Sequence, residues 1–194
     1  MDDLKFYIYA DLRSSGQRLS IGSWIKRPVL RFTVLMRVLE YCINTQKPRL
    51  LYLLLLLWFR RLSLKLGFSV GPNVFGPGVA IIHHGLLIIN PATRIGKNCR
   101  IHMGVHIGGT GHFVDPSEVR DHCPNIGDNV YIGPGAKIYG QIQIGSNCTI
   151  GANAVVTKSF ERSGSLIAGV PARLLGQAED GSRVIRGADH RDPA

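Results

Sequence analysis

The sequence predicts a mainly β protein in which a β-solenoid follows an α-helical N-terminal domain. An aliphatic residue recurs at every sixth position through much of the chain. From about Val70 onward, short β-prone triplets alternate with Gly, Asn and Pro, whereas the first third shows helical spacing of its apolar residues. These three observations separate an N-terminal helical domain from a repetitive β domain.

Residues 1–68 are predicted to form the helical domain. Apolar residues between Pro28 and Pro48 lie on helical spacing, which predicts one helix. A second helix is predicted over residues 49–65, and Gly67 ends it. This second helix is apolar nearly all round, so we expect it to be buried, to lie in an oligomer contact or to face lipid.

The positive charge of the chain is concentrated in its first third. Residues 1–70 hold twelve Lys/Arg against four Asp/Glu, and the rest of the chain holds eleven against nine. Basic residues interleaved with leucines favour an anionic membrane surface over nucleic acid as the partner. The run Leu50–Phe59 is about half the ~20 residues that cross a bilayer, and the acidic start "MDDLKF" is unlike a signal peptide. A cytoplasmic protein, peripheral at the inner membrane face, is the expectation.

The β domain is predicted from its hexads. An aliphatic residue opens each group of six from Ile126 to Val156, and the same phase extends backwards from Ile107 to Ile89. Only residues 108–125 interrupt it. A period of six with a turn in each repeat is typical of a β-solenoid, in which stacked coils share one core.

Several motifs make the chain resemble a known family. "IGPGAKIYGQIQIGSNCTIGANAVV" and "AGVPARLLG" resemble the hexapeptide-repeat acyltransferases, whose fold is a left-handed parallel β-helix. "GPGVAIIHHG", "IGGTG" and "CPNIGDN" are similar to the serine O-acetyltransferase branch, which includes enzymes of surface-polysaccharide clusters. The resemblance covers residues 68–176. It implies a β-helix domain over 69–176 with a projecting loop at 109–124, a polar tail at 177–194 and acetyl-CoA as co-substrate without a metal.

The resemblance places a catalytic base at the motif "IIHHG". A hydroxyl is a poor nucleophile at neutral pH, and histidine is the usual base that activates it. Stepping back one hexad from Ile89 gives His83, where the family has its base, so His83 is preferred over His84. His84 and His102 are three hexads apart and are expected to stack if three hexads make a coil. A zinc site in the manner of a γ-class carbonic anhydrase, using His102 and His106, is the metal alternative, which "GGTG" and "GVPARLLG" disfavour.

The chain departs from serine acetyltransferases where these hold their base and substrate. The supporting carboxylate is replaced by Ser69, the acidic residue before the base by Ile82, and an Arg-His pair by His122-Cys123. Asp11 is a candidate for an acceptor-binding carboxylate in the helical domain and for replacing the carboxylate missing at Ser69. Because a zwitterionic amino acid needs complementary charge, these departures favour a sugar hydroxyl as acceptor.

The loop before Pro124 is longer than the resemblance implies. We expect it to lie over a neighbouring subunit's site and to bind a glycan acceptor. Its candidate hydrogen-bonding side chains are Asp115, Arg120, Asp121 and His122.

The resemblance also locates a coenzyme site. Gly108 and Gly109 permit close approach of the backbone, and the N–H of Gly109 is a candidate to polarise the thioester carbonyl. Ala136 and Ala154 resemble pantetheine-lining positions, and Lys158 and Arg173 are candidates for the phosphates.

The prediction is therefore an acetyl-CoA-dependent O-acetyltransferase acting on a capsule, exopolysaccharide or O-antigen glycan, by direct attack with a histidine base. The alternative is the serine O-acetyltransferase of cysteine biosynthesis. The resemblance implies a homotrimer or a dimer of trimers, with active sites between subunits.

Overall fold

The computed structural model describes residues 2–110, 122–178 and 184–189. Within these ranges four helices come first, followed by fourteen short strands and a 3₁₀ turn at Gly187–Asp189. The helices are α1 Asp2–Ser14, α2 Ile21–Lys26, α3 Pro28–Asn44 and α4 Arg49–Leu66. The predicted helical N-terminus is confirmed.

The two longest helices begin and end where the sequence predicts. Pro28 lies in the first turn of α3, where its missing N–H breaks no helical hydrogen bond. Gly67 follows α4 with φ +75°, and its N–H bonds to the carbonyls of Ser63 and Leu64. That left-handed backbone is the conformation a glycine C-cap supplies at low steric cost.

The strands form three sheets. Sheet A holds β1 Phe68–Val70, β3 Leu87–Ile89, β6 His106–Gly108, β9 Lys137–Tyr139 and β12 Val155–Val156. Sheet B holds β4 Arg94–Ile95, β7 Asn125–Ile126 and β10 Gln143–Ile144. Sheet C holds β2 Ala80–Ile81, β5 Arg100–Ile101, β8 Tyr131–Ile132, β11 Thr149–Ile150, β13 Ser165–Ala168 and β14 Arg173–Gln177.

Successive strands enter the three sheets in turn, which is the arrangement of a three-sided coil. Strands β4 to β12 follow the repeating order B, C, A, and every pairing between described strands is parallel except β13 with β14. Ile126 pairs with Ile144 and Ile132 with Ile150, so one coil takes three hexads. Ile101 and Ile132 also pair, although they lie further apart in the sequence, because the interrupting segment is inserted into that single coil.

The hexad-opening residues form the core, as predicted. They are almost completely buried: Ile89, Ile95, Ile101, Ile107, Ile126, Ile132, Ile138, Ile144, Ile150 and Val156. In the first coil, however, the extension of the phase to His83 is wrong. The residue that pairs with Ile101 inside the core is Ile81, and His83 is exposed. Leu87 follows Ile81 by six positions, whereas Val105 follows Ile101 by four, so this corner carries two extra residues.

A buried ion cluster joins the helices to the β domain. The guanidinium of Arg37 donates to both carboxylate oxygens of Asp11, with a shortest distance of 2.7 Å, and to Glu40 at 2.8 Å. It also donates to the carbonyls of Phe75 and Gly76. Burial opposes the charge of Arg37, but the two carboxylates outweigh it and raise the pKa of the guanidinium.

A short C-terminal segment packs on the same junction. The N–H of Gly187 donates to Ser14 Oγ, and the N–H of Ala188 donates to Asn98 Oδ1. Asn98 also starts a ladder of side-chain amides that continues through Asn129 and Asn147. The segment therefore connects α1 to the turns of the stacked coils.

Gly187→Ala is expected to detach this segment from α1. A Cβ at Gly187 would collide with the Ala10 carbonyl oxygen and with Ser14, so the segment has to move. We expect overpacking to lower the free energy of unfolding by about 1–3 kcal/mol, measured by urea denaturation. Gly22→Ala is the matched control, because a Cβ at Gly22 meets nothing within 4 Å. Equal stability of the two variants would contradict this packing.

Candidate active site

The predicted base lies at the two-residue bulge that follows β2. His83 and His84 are both exposed, and His83 has φ +140°. The other non-glycine residues with positive φ in the described chain are asparagines and one glutamine, with φ between 50° and 60°. Backbone in so sparsely populated a region costs free energy and tends to occur at functional sites. The bulge is anchored beside it, because Gly85 donates to the carbonyl of Leu66 at the end of α4.

The ring that faces His102 belongs to His83. Their ring centroids are 6.2 Å apart, and the His102 ring lies 5.2 Å from that of Tyr131 in the next coil. The expectation that His84 would stack on His102 is therefore wrong, because the two extra residues shift the register of the corner. Within the described residues, Nε2 of His102 is buried without a hydrogen-bond partner. A three-ring column thus runs across successive coils at this corner, with His83 at its first position.

The protein is expected to lose stability as the pH falls below the pKa of a free histidine side chain. Burial, together with Arg100 and His83, lowers the pKa of His102, and burial, together with Lys137, lowers the pKa of His106. Below pH ~6.5 the unfolded chain then binds more protons than the folded chain, so the free energy of unfolding decreases. The double variant His102→Gln/His106→Gln should flatten this decrease in urea titrations between pH ~7 and ~5. An unchanged pH slope would contradict it.

The two candidate positions for supporting the base, Ser69 and Asp11, lie in different parts of the fold. Ser69 is exposed in the middle of β1, where it pairs with Ile88. Asp11 is buried and accepts hydrogen bonds from Arg37 and from the N–H groups of Gly78 and Val79. These contacts give Asp11 a structural role at the helix–coil junction, which corrects its assignment to the acceptor.

The predicted oxyanion glycines lie at a different corner from the histidines. Gly108 ends β6 in sheet A, whereas His83 and His102 follow strands of sheet C. A Cβ at Gly109 would be 3.1 Å from the carbonyl oxygen of His122. Gly109 therefore lies where the chain leaves for the interrupting segment and returns from it. Sheet A separates the two predicted halves of the site within one chain.

Ala136 and Ala154 are core residues. Both side chains are fully buried, and their carbonyls accept from the N–H groups of His106 and Lys137 in the neighbouring coils. Because their side chains are buried and their carbonyls are bonded within the stack, Ala136 and Ala154 do not line an open coenzyme site.

Lys158 and Arg173 line one surface cavity of about 370 Å³. The other residues of its lining are Thr157, Pro171 and Ala172. Two cations facing one opening suit an anionic group such as a phosphate. In the sequence, only the resemblance had assigned both residues to the coenzyme phosphates.

Of the predicted acceptor-binding side chains, only one lies in the described part of the chain. His122 is half-buried and directly precedes the buried Cys123. Asp115, Arg120 and Asp121 lie outside the described residues. Over residues 2–110, 122–178 and 184–189, no three His, Cys, Asp or Glu side chains are grouped as metal ligands would be.

Comparison with known proteins extends these observations. Residues 124–158 match the family model "Bacterial transferase hexapeptide (six repeats)". The chain is 39% identical over 135 residues to the serine acetyltransferase of Staphylococcus aureus strain Mu50. This alignment covers 69% of this chain and 57% of that protein. The chain therefore spans little more than half the length of this relative.

Solved structures give the same match over nearly the whole chain. The serine acetyltransferase of Brucella abortus strain S19 in complex with coenzyme A has a TM-score of 0.71 and 26% identity, covering 91% of this chain and 67% of that one. The Neisseria gonorrhoeae serine acetyltransferase in complex with serine has a TM-score of 0.69 and 26% identity, covering 89% and 69%. Together the matches support an acyltransferase built from transferase hexapeptide repeats.

The predicted sugar acceptor is wrong. The relatives and solved structures compared above are serine acetyltransferases, and none of these matches is to an enzyme of polysaccharide O-acetylation. The prediction rested on neutral, apolar or only weakly basic side chains at Ser69, Ile82 and His122-Cys123. Missing charges at three positions do not exclude an amino acid, because backbone N–H and carbonyl groups and other side chains also bind ammonium and carboxylate groups.

Proposed function

We propose that this protein is a serine O-acetyltransferase that transfers acetyl from acetyl-CoA to the hydroxyl of L-serine. The observation that carries the proposal is the shared fold and sequence with serine acetyltransferases, one bound to coenzyme A and one to serine. The rotation of strands through three sheets supports the left-handed β-helix that the resemblance implies.

The proposed chemistry is a direct transfer with His83 as general base. The imidazole takes the proton from the serine hydroxyl while the oxygen attacks the thioester carbonyl. The tetrahedral oxyanion then collapses, the carbon–sulfur bond breaks and the coenzyme A thiolate accepts the proton from the imidazolium. The products are O-acetylserine and coenzyme A, and no acyl-enzyme forms.

Two observations favour His83 over its neighbour as the base. Its backbone has φ +140°, and its ring faces that of His102, which restricts where the imidazole lies. A base must be held within hydrogen-bond reach of the proton it removes. The bulge therefore supplies an exposed imidazole on a fixed support.

The separation of the two corners by sheet A suits the trimer that the resemblance implies. We propose that the histidine corner of one chain faces the Gly108–Gly109 corner of a neighbouring chain, so that each site needs two copies. Because sheet A lies between these corners within one chain, a single copy does not bring them together. Light scattering of the purified protein tests this assembly, and an active monomer would contradict it.

The proposed activity is tested by mixing the purified protein with acetyl-CoA and L-serine and following thiol release. L-Alanine is the matched control, because it has the same charged groups without the hydroxyl. We expect thiol release with L-serine alone, together with O-acetylserine detected by mass spectrometry. Equal, slow thiol release with both amino acids would contradict the proposal.

Lys158→Gln and Arg173→Gln are each expected to raise the KM for acetyl-CoA. A charge-assisted hydrogen bond to a phosphate is worth about 1.5–3 kcal/mol, so each change should raise KM about tenfold or more with little change in kcat. Arg162→Gln is the control, since Arg162 is exposed and does not line this cavity. Lowered kcat at unchanged KM would place the coenzyme phosphates elsewhere.

A further inference from the structure

Helix α4 carries a second apolar face that the described residues leave uncovered. Its inner side contributes Phe59, Leu62 and Leu66 to the core. On the opposite side, Leu57 is 65% exposed and Leu64 is 83% exposed. We define the leucine–tryptophan face as the exposed apolar residues Leu50, Leu51, Leu53, Leu54, Leu57, Trp58 and Leu64 of α4 with Ile21 and Ile25 of α2.

Contact between two tryptophans connects the helices that contribute to this face. The rings of Trp24 in α2 and Trp58 in α4 meet edge to face, with their centroids 6.4 Å apart. Trp58 is about half exposed, and Ile21 in the same short helix as Trp24 is 83% exposed. Tryptophan is the side chain most typical of the boundary between lipid and water.

The charges around the leucine–tryptophan face have one sign. Helix α4 contains Arg49, Arg60, Arg61 and Lys65 and no acidic residue. Residues 12–72 hold eleven Lys/Arg and a single acidic residue, Glu40. That carboxylate is buried against Arg37, so it does not offset the exposed cations. A partner for this face must therefore have an apolar region that contacts the leucines and negative charges that bind the cations.

We infer that the leucine–tryptophan face lies on an anionic lipid bilayer, with α4 parallel to the membrane plane. Apolar side chains enter the acyl boundary while the arginines and lysines bind lipid phosphates. A second copy of the chain fits less well, because its own face would bring the same excess of positive charge. Among the described residues, no helix is long and apolar enough to cross a bilayer, so the inference concerns surface binding.

The first test is flotation of the purified full chain with vesicles. We expect binding to phosphatidylcholine vesicles that contain phosphatidylglycerol, weak binding to phosphatidylcholine alone and release by high salt. Arg60→Gln/Arg61→Gln should weaken partitioning about fivefold for each charge removed. Leu54→Gln/Leu57→Gln should weaken it at least about tenfold.

Two exposed positions elsewhere serve as controls. Ile185→Gln removes an exposed apolar side chain and Arg162→Gln an exposed charge, both outside the leucine–tryptophan face. Neither should change binding. The proposal is overturned if the anionic vesicles bind no better than phosphatidylcholine. It is also overturned if Leu54→Gln/Leu57→Gln leaves binding unchanged, or lowers the oligomeric mass in lipid-free solution.

A second test reports directly on the depth of the face. The chain has two tryptophans, so Trp24→Phe leaves Trp58 as the sole one. With anionic vesicles, we expect its emission to shift to the blue and to be quenched by brominated acyl chains. Unchanged emission in the presence of bound vesicles would place another surface against the lipid and overturn the inference.

Discussion

His83→Ala is expected to lower kcat for acetylation of L-serine by about 10²–10⁴-fold, which is what a positioned general base contributes. The KM for acetyl-CoA should change little, because the imidazole acts on the acceptor hydroxyl. The fold should tolerate the change, since the His83 side chain is exposed and its backbone is fixed by the bulge. The measurement is steady-state thiol release, with circular dichroism to compare the two folds.

His84→Ala is the matched comparison, because it removes the adjacent exposed imidazole. We expect it to retain at least about a tenth of the activity, since a neighbouring imidazole that is not the base does not take the proton. If His84→Ala instead loses the larger factor while His83→Ala stays active, the base is His84. The chemistry of the proposal would then hold with the two roles exchanged.

Arg37→Ala is expected to destabilise the protein by about 3–5 kcal/mol, because it leaves two carboxylates buried without their cation. It also removes the hydrogen bonds to the carbonyls of Phe75 and Gly76. The midpoint of urea unfolding, followed by circular dichroism, measures the loss. Neutralising the stranded acids in the triple variant Arg37→Ala/Asp11→Asn/Glu40→Gln should restore part of it.

The control for Arg37 is an ion pair at the surface. Lys97 bonds to Asp189 at 2.9 Å, and both side chains are partly exposed. Lys97→Ala should cost no more than about 1 kcal/mol, as solvent-exposed pairs do. If Arg37→Ala costs no more than Lys97→Ala, the cluster does not join the two domains as described.

Local patterns predicted much of the architecture. Buried aliphatic residues at a spacing of six, a proline in the first turn of α3 and a glycine after α4 are each fixed by neighbours close in sequence. The error at the first coil has the opposite origin. The phase through Ile89 pointed to His83, and only pairing with Ile101 in the next coil shows that two residues bulge at this corner. The local sequence pattern is compatible with the chain with or without such a bulge, so the pattern alone does not reveal it.

Contacts between distant residues account for the features that were missed. In the sequence, Arg37 cannot be distinguished from other polar residues of a helix. Its role depends on hydrogen bonds to Asp11 and to carbonyls of the first coil, which are distant in the sequence. Asp11 was assigned to the acceptor because a resemblance transfers a residue type without its partners. The contact between the rings of Tyr131 and His102 likewise depends on strand pairing across the interrupting segment.

Strand β14 turns back antiparallel against β13 at the last coil, while α4 and β1 adjoin the first. A parallel stack ending on a bare coil would present a row of unpaired N–H and carbonyl groups, ready to receive the first coil of another molecule. Head-to-tail addition of that kind does not close on itself and yields filaments. The reversed strand thus covers the edge of β13 in sheet C, where a parallel strand of a second molecule would otherwise add to the last coil.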